Sequence, residues 1–397
     1  MKKTIKLAVV AALALGTTSA FATNGSNLIG YGVKARSMGG VGIAMSHGAE
    51  SALVNPALIS SVENTEVQFA GTIFMPNVSS DTSAGAGSKD SSANMNVIPA
   101  VSVASKVTDN FYAGIGIWGT AGMGVDYRED ASNFNMVTNL QLMQFGVPLT
   151  YATNGFSIGV TPLLQYGSLD IGFKTPAGTV GAGVAQNLQF GFNVGAAYET
   201  NGITIGATYK SQIDMDYKDQ LTTAGGAFGL TLGNQLSTPE EYGVGLSYNM
   251  GEHTIAVDYK QINWSKAKGY EDFAWEDQNV YIIGYEYAAD GWAARIGYNY
   301  SEGPIKEQSA TTTQTGGVLN ALNLLGFPAT VESHITAGGT YNVSKTTSID
   351  LAVAYAPEVS KTFTHTAFTT NPLSPVFAPI TTKHSQTSVS LGLNYAF

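Results

Sequence analysis

Asn24-Gly25-Ser26-Asn27-Leu28-Ile29-Gly30-Tyr31-Gly32, Lys34-Ala35-Arg36-Ser37-Met38-Gly39-Gly40 and, further on, Asn55-Pro56-Ala57-Leu58 belong to one glycine-rich stretch, and its reading decides the fold. No part of it alternates long enough to make a strand, whereas almost everything after Glu66 alternates with a period of two. A compact non-strand segment ahead of a long all-β chain needs somewhere to sit. It is expected to sit inside a barrel, as a plug over residues 23–65.

Upstream, residues 1–22 read as a secretory leader. Lys2, Lys3 and Lys6 form its positive region, Leu7 to Leu15 its apolar core, and Ala20-Phe21-Ala22 the small-x-small cleavage site. That core is too short to span a bilayer, and no later stretch approaches ~18 consecutive apolar residues. An exported chain of this kind can enter a membrane only as a closed barrel. Charged residues make up 12% of the 397, against about 25% in soluble domains, so much of the surface is expected to face something other than water. The formal net charge of −10, more negative once the leader lysines are gone, argues against nucleic-acid binding. With no cysteine, disulfide scaffolds and Cys-based zinc sites are excluded.

Tight-turn signals recur at Thr108-Asp109-Asn110, Thr153-Asn154-Gly155, Thr200-Asn201-Gly202, Met250-Gly251-Glu252, Ala289-Asp290-Gly291 and Ser344-Lys345-Thr346. Segments of about ten alternating residues flank each turn, and longer loops separate the hairpins. Ile203, Ile205, Ala207 and Tyr209 share one face of a strand. Trp292, Ala294, Ile296, Tyr298 and Tyr300 share another, as do Val389, Leu391, Leu393, Tyr395 and Phe397. Six hairpins, one strand before them and one after predict a fourteen-stranded antiparallel transmembrane β-barrel over residues 66–397, an all-β fold. Short turns are expected on the periplasmic side of a bacterial outer membrane and long loops outside.

The glycine-rich stretch resembles the N-terminal hatch of the FadL/TodX family of outer-membrane transporters for long-chain fatty acids and aromatic hydrocarbons, most specifically through Asn55-Pro56-Ala57 after a run of small residues. The resemblance implies passive import of hydrophobic molecules, most of all long-chain fatty acids, through a plugged barrel with lateral release at a kinked third strand. It also implies a lipid and lipopolysaccharide environment, a monomer, no cofactor, and a C-terminal Phe397 read by the outer-membrane assembly machinery. Uptake of aromatic hydrocarbons is the alternative within that class. A general porin, a surface adhesin or a phage receptor are the alternatives outside it.

A literal G-x-G-x-x-G at Gly114, Gly116 and Gly119 lies inside the strand pattern starting at Phe111, so a dinucleotide site, which needs a strand-to-helix turn, is excluded. Glycines within a strand point to a bulge or kink, or to the close approach of another backbone. The family's kink is carried by position to Gly116, Gly119 and Gly122, with a plain flexible strand as the competing reading. Asn55, Pro56 and Ala57 are expected to lie against the resulting gap as a gate, the competing reading being a simple helix-ending turn. Phe228, Leu230 and Leu232, in the apolar loop Tyr217 to Thr238, are candidates for first capture, and Val318 to Phe327 is a second apolar loop. Packing between loops would explain both equally well.

A fatty-acid head group calls for a cation in the lumen. Alternation turns Lys210, Lys260 and Arg295 inward, alongside Asp258, Glu286 and Asp350. Arg295 is the preferred anchor because guanidinium grips carboxylate in two places. The fifth strand, Phe156 to Gly167, lacks a cation where the family's fatty-acid importers have one, which leaves room for uncharged aromatic substrates. Trp118, inward beside the kink, suits either ligand. An enzyme is not expected: of the five histidines only His384, followed by Ser385, approaches a hydrolase arrangement, and no further match follows.

Overall fold

The computed structural model describes residues 24–82, 87–310, 314–366 and 377–397; the leader expected over residues 1–22 lies outside them. Among the described residues, fourteen antiparallel strands close into a barrel. In chain order they are β1 (Thr65–Asp81), β2 (Asn96–Lys106), β3 (Phe111–Asp126), β4 (Val137–Gly146, resuming at Leu149–Thr153), β5 (Phe156–Thr175), β6 (Ala185–Thr200) and β7 (Ile203–Lys210). They continue as β8 (Glu241–Asn249), β9 (His253–Ile262), β10 (Gln278–Ala289), β11 (Trp292–Ser301), β12 (Ser333–Asn342), β13 (Thr347–His365) and β14 (Ala378–Ala396). Two short ribbons, Lys89–Asp90 and Gly178–Gly181, extend β1 and β5 beyond the ring. β1 seals the barrel by pairing along its length with β14.

The turns form where the sequence placed them. At Asn154-Gly155 and Asn201-Gly202 both residues have positive φ (50° and 79° in each pair), the geometry that lets a two-residue turn follow the right-handed twist of its strands. Alternation holds too. Ile205, Val244, Leu246, Val257, Ile283 and Ile296 form an outward apolar band. Tyr209, Tyr242, Tyr259, Tyr281 and Tyr300 border it at the loop end, and Tyr198, Tyr248, Trp292, Tyr341 and Tyr395 at the turn end. Two aromatic girdles around an apolar band are the dress of a barrel whose outside faces lipid. No helix among the described residues is long and apolar enough to cross a membrane.

Residues 24–62 lie within the ring. They form one short helix, α1 (Val33–Ser37), and two 3₁₀ turns, Gly48–Leu53 and Pro56–Ser61, nearly all buried. Inward side chains hold this backbone from around the circumference. Thr336 of β12 donates to Ser37 O (3.1 Å), and Asn299 of β11 to Gly39 O (3.0 Å). The carboxylate of Asp258 on β9 accepts the N–H groups of Gly42 (2.8 Å) and Ile43 (2.9 Å). Ser247 of β8 reaches Ala44 O, Asn193 of β6 reaches Leu53 O, and Thr161 of β5 reaches Ala52 O. Backbone at such close quarters needs glycine in the wall: a Cβ at Gly206 would fall 2.0 Å from Ile43 O, and one at Gly297 2.1 Å from Met38 C.

Candidate functional site

The third strand breaks the regularity of the barrel. β3 pairs with β2 only from Tyr112 opposite Lys106 to Trp118 opposite Ala100. Beyond Trp118 the two strands part, while β2 continues alongside β1 through Asn96–Pro99. On its other side β3 shifts register against β4 between Gly119 and Ala121, so Thr120 is a bulge residue. From Thr120 to Val125 every residue is buried, which means the strand has turned into the barrel. The N-terminal segment takes the place that β2 leaves: Leu28 donates to Thr120 O (3.2 Å), Gly122 donates to Ser26 O (3.1 Å), and Asn27 bridges to Ala121. Contact with the regular wall resumes at Asp126, whose carbonyl accepts the Ser92 N–H (2.9 Å).

The glycines expected at the kink have separate parts. Gly116 lies below the break and seats the ring of Trp118. Gly119 faces Ile98 of β2 where the strands separate, and Gly122 bonds to the N-terminal segment. Trp118 is 1% exposed and donates its indole N–H to Ser102 Oγ at 2.9 Å.

Asn55, Pro56 and Ala57 do not lie at this break, and the expectation that they would is corrected. Asn55 caps the 3₁₀ turn by accepting the Ala57 N–H (3.1 Å) and donates to Ile43 O (2.6 Å) and to Ala196 O of β6 (3.3 Å). Thr150 of β4 donates to Pro56 O (2.7 Å). The corner therefore rests on β4, β5 and β6 toward their tight-turn ends, with Gly159 and Gly195 leaving room for it. Ser26, Asn27 and Leu28 are the residues at the break.

All three wall cations point inward as alternation required, and each has an anionic neighbour. Lys210 and Lys260 share Glu241 (3.3 and 3.6 Å), with the Lys210 ammonium 4.5 Å above the ring of Tyr31. Arg295 is bound to Glu286 at 2.5 Å and to Thr340 at 2.7 Å, near the turn end of β11 and under the N-terminal segment. It is not a free anchor. Inside the segment, Glu50 accepts the Lys34 N–H (3.1 Å) and the side-chain amide of Gln68. Burial, opposed by nearby Lys34 and reinforced by Asp350, pushes its carboxyl up to about 8. His47 is driven down to about 3 by burial and donates to Val41 O at 2.7 Å.

Above this layer the external loops fold into the barrel mouth and fill it with apolar side chains. Val318 to Phe327 is not a surface loop: Leu322, Leu324, Leu325 and Phe327 are all under 5% exposed. Thr138 of β4 and Thr382 of β14 donate to its carbonyls at Gly326 and Leu324. Phe228, Leu230 and Leu232 lie half-buried on the outer edge of the same cluster, Phe228 stacked on Phe173 at 5.3 Å. At the centre stand Trp264, Tyr270 and Trp275, with ring centroids 4.6–5.1 Å apart. Tyr270 donates to Ser26 Oγ at 3.2 Å, so the loop cluster touches the segment that fills the β3 break. Sequence reading passed over these aromatics, although three of them with Phe273 within the loop between β9 and β10 were a visible signal.

Comparison with known proteins places the fold. A Pseudomonas aeruginosa FadL homologue superposes with a TM-score of 0.69 at 15% identity, over 96% of this chain and 100% of that one. The P. putida toluene transporter TodX gives 0.68 at 17% over 93% and 99%, and the CymD monoaromatic hydrocarbon channel 0.65 at 16% over 94% and 99%. An uncharacterized Chlorobium limicola protein, from the 5′ region of a phosphoenolpyruvate carboxykinase gene, is 39% identical over 83 residues; the match spans 20% of this chain and 41% of that protein's length. Residues 8–397 match the model of the outer membrane protein transport family (OMPP1/FadL/TodX), a family of transport channels and not of enzymes, and the chain belongs to it.

Proposed function

We propose that this protein imports hydrophobic molecules passively across the outer membrane, with long-chain fatty acids as the main substrate and lateral release at β3. In this reading residues 23–65 are the hatch and residues 66–397 the barrel, following an export leader at residues 1–22. The observation that carries it is the parting of β2 from β3 beyond Trp118, with Ser26–Leu28 of the hatch in the vacated place. An apolar solute gains nothing from a watery axial pore, and the hatch blocks that route. The opening between β2 and β3 leads instead to the lipid that the outward apolar band is built to face. The half-buried Phe228, Leu230 and Leu232 supply first contact outside, and the aromatic cluster around Trp264 supplies the apolar interior. Phe397 is 67% exposed at the barrel's turn end, where the assembly machinery can read it, and the barrel works as a monomer in lipid and lipopolysaccharide.

The chain has no cysteine, so a disulfide can close the opening cleanly. A Cβ on Gly119 would lie 2.7 Å from a methyl of Ile98. The double variant Ile98→Cys/Gly119→Cys is expected to lose oleate uptake by cells when oxidised and to regain it on reduction, while uptake by each single variant does not respond to oxidant. Undiminished uptake by the oxidised protein, with the crosslink verified, would sink lateral release.

Aromatic hydrocarbons remain the second reading, favoured by the cation-free inward face of β5 and by Trp118 at the break. Saturable binding of toluene without oleate by the refolded protein would select it.

A further inference from the structure

We infer that Arg36 of the hatch is the anchor for a carboxylate head group, taken up where the hatch faces the β1–β3 wall; this deepens the fatty-acid reading above and rests on it. Arg36 sits in α1 and is 3% exposed. Its Nε and Nη1 are buried and have no hydrogen-bond partner among the described residues. The wall cations differ in this respect, since Lys210 and Lys260 are held by Glu241 and Arg295 by Glu286. A buried guanidinium without a counter-charge is costly, and an anion that pairs with it recovers several charge-assisted bonds at once. Arg36 also borders a gap shared with Tyr31, Thr72, Ile98, Trp118 and Gly119. Trp118 and Gly119 are the residues at which β3 leaves β2. A ligand with its carboxylate on Arg36 and its tail against Ile98 and Trp118 would therefore point at the opening.

The open space there is about 10 Å³, roughly the room one water molecule takes. A carboxylate enters only as the hatch eases away from the wall. Arg36 is then a station met during passage, holding the head group while the tail finds the opening.

The test uses the refolded, leader-free protein in detergent and follows Trp fluorescence with oleate and with methyl oleate, which has the same tail and no charge. The wild type is expected to bind oleate about tenfold or more tighter than the ester. Arg36→Met should erase that preference by weakening oleate alone, and Arg36→Lys should keep part of it. If Arg36→Met does not refold, Arg36→Gln serves in its place, with refolding checked by circular dichroism. Oleate binding unchanged in the neutral variant, or both ligands weakened equally, would overturn the assignment; the second result marks Arg36 as a packing residue of the hatch. A wild type that binds the two ligands equally overturns the anchor and leaves hydrophobic transport standing. A wild type that binds neither removes the transport reading itself.

Discussion

The indole ring of Trp118 lies directly over Gly116, two residues earlier on the same strand: a Cβ at Gly116 would fall 1.9 Å from Trp118 Cζ2. The glycine is there for the ring and not for a bend, since the register shift of β3 comes later, between Gly119 and Ala121. Gly116→Ala should push the indole off its seat and break its bond to Ser102. Forcing a methyl into such a contact costs about 1–3 kcal/mol. The expected result is a red-shifted Trp emission and a lower thermal transition in detergent. A spectrum identical to wild type would show that the ring has another place to go.

Asn55 is fixed in place by three bonds, to Ala57, Ile43 and Ala196. Replacing it by alanine removes a helix cap and leaves the buried Ile43 carbonyl short of a donor, a combined cost of about 2–4 kcal/mol. Because the corner packs on β4–β6 and not at the β3 break, Asn55→Ala should loosen the hatch as a unit. Limited proteolysis is expected to cut within residues 40–62 while the barrel keeps its β signal in circular dichroism. Protease resistance equal to wild type would mean that the wall contacts hold the corner without Asn55.

Tyr270 donates to Ser26, joining the aromatic cluster of the loops to the hatch strand that fills the opening. If binding in the cluster is relayed to the opening by this contact, Tyr270→Phe should slow oleate uptake severalfold with little change in equilibrium affinity, because the ring and its packing on Trp264 and Trp275 stay. Equal losses of uptake and affinity would assign Tyr270 to the binding surface alone.

Local chemistry made the barrel legible. Asn154-Gly155 and Asn201-Gly202 announce their turns through the φ values they tolerate, and alternation separates Ile205 and Tyr298 from Thr208 and Asn299 without any knowledge of the partner strand. What stayed hidden depends on partners far along the chain. That Arg295 meets Glu286 and Lys210 meets Glu241 follows from strand register, which a one-residue slip would undo. Whether Val318–Phe327 lies on the surface or in the lumen is decided by donors at Thr138 and Thr382, and where Asn55-Pro56-Ala57 rests by Thr150 and Gly195. The inward glycines of β6, β7 and β11 were the overlooked clue, since small residues repeated on the lumen face mark where a second backbone comes close.

Glu50 makes hatch docking depend on pH. Its carboxylate lies against Gly32 and accepts the Lys34 N–H at the start of α1, and burial raises it from 4.5 to about 8. A raised carboxyl binds its proton more tightly when the hatch is docked than when it is released. Glu50's contribution to docking is therefore full below about pH 4.5, weakens as the pH rises through the window between 4.5 and about 8, and levels off above it. Buried His47, lowered from 6.5 to about 3, works against it below pH 6.5, so the net loss falls between 6.5 and about 8. The span is on the order of a few kcal/mol at most, since a tenfold change in proton affinity corresponds to about 1.4 kcal/mol. Hydrogen exchange of residues 24–62, corrected for the intrinsic pH dependence of amide exchange, should show protection falling from pH 6.5 to pH 8. Glu50→Gln should flatten that slope and leave the hatch better protected than wild type at pH 8. A slope that survives the substitution would move the titrating group elsewhere in the hatch, and a wild-type profile without slope would mean that the ionised carboxylate is fully accommodated by Lys34 and Gln68.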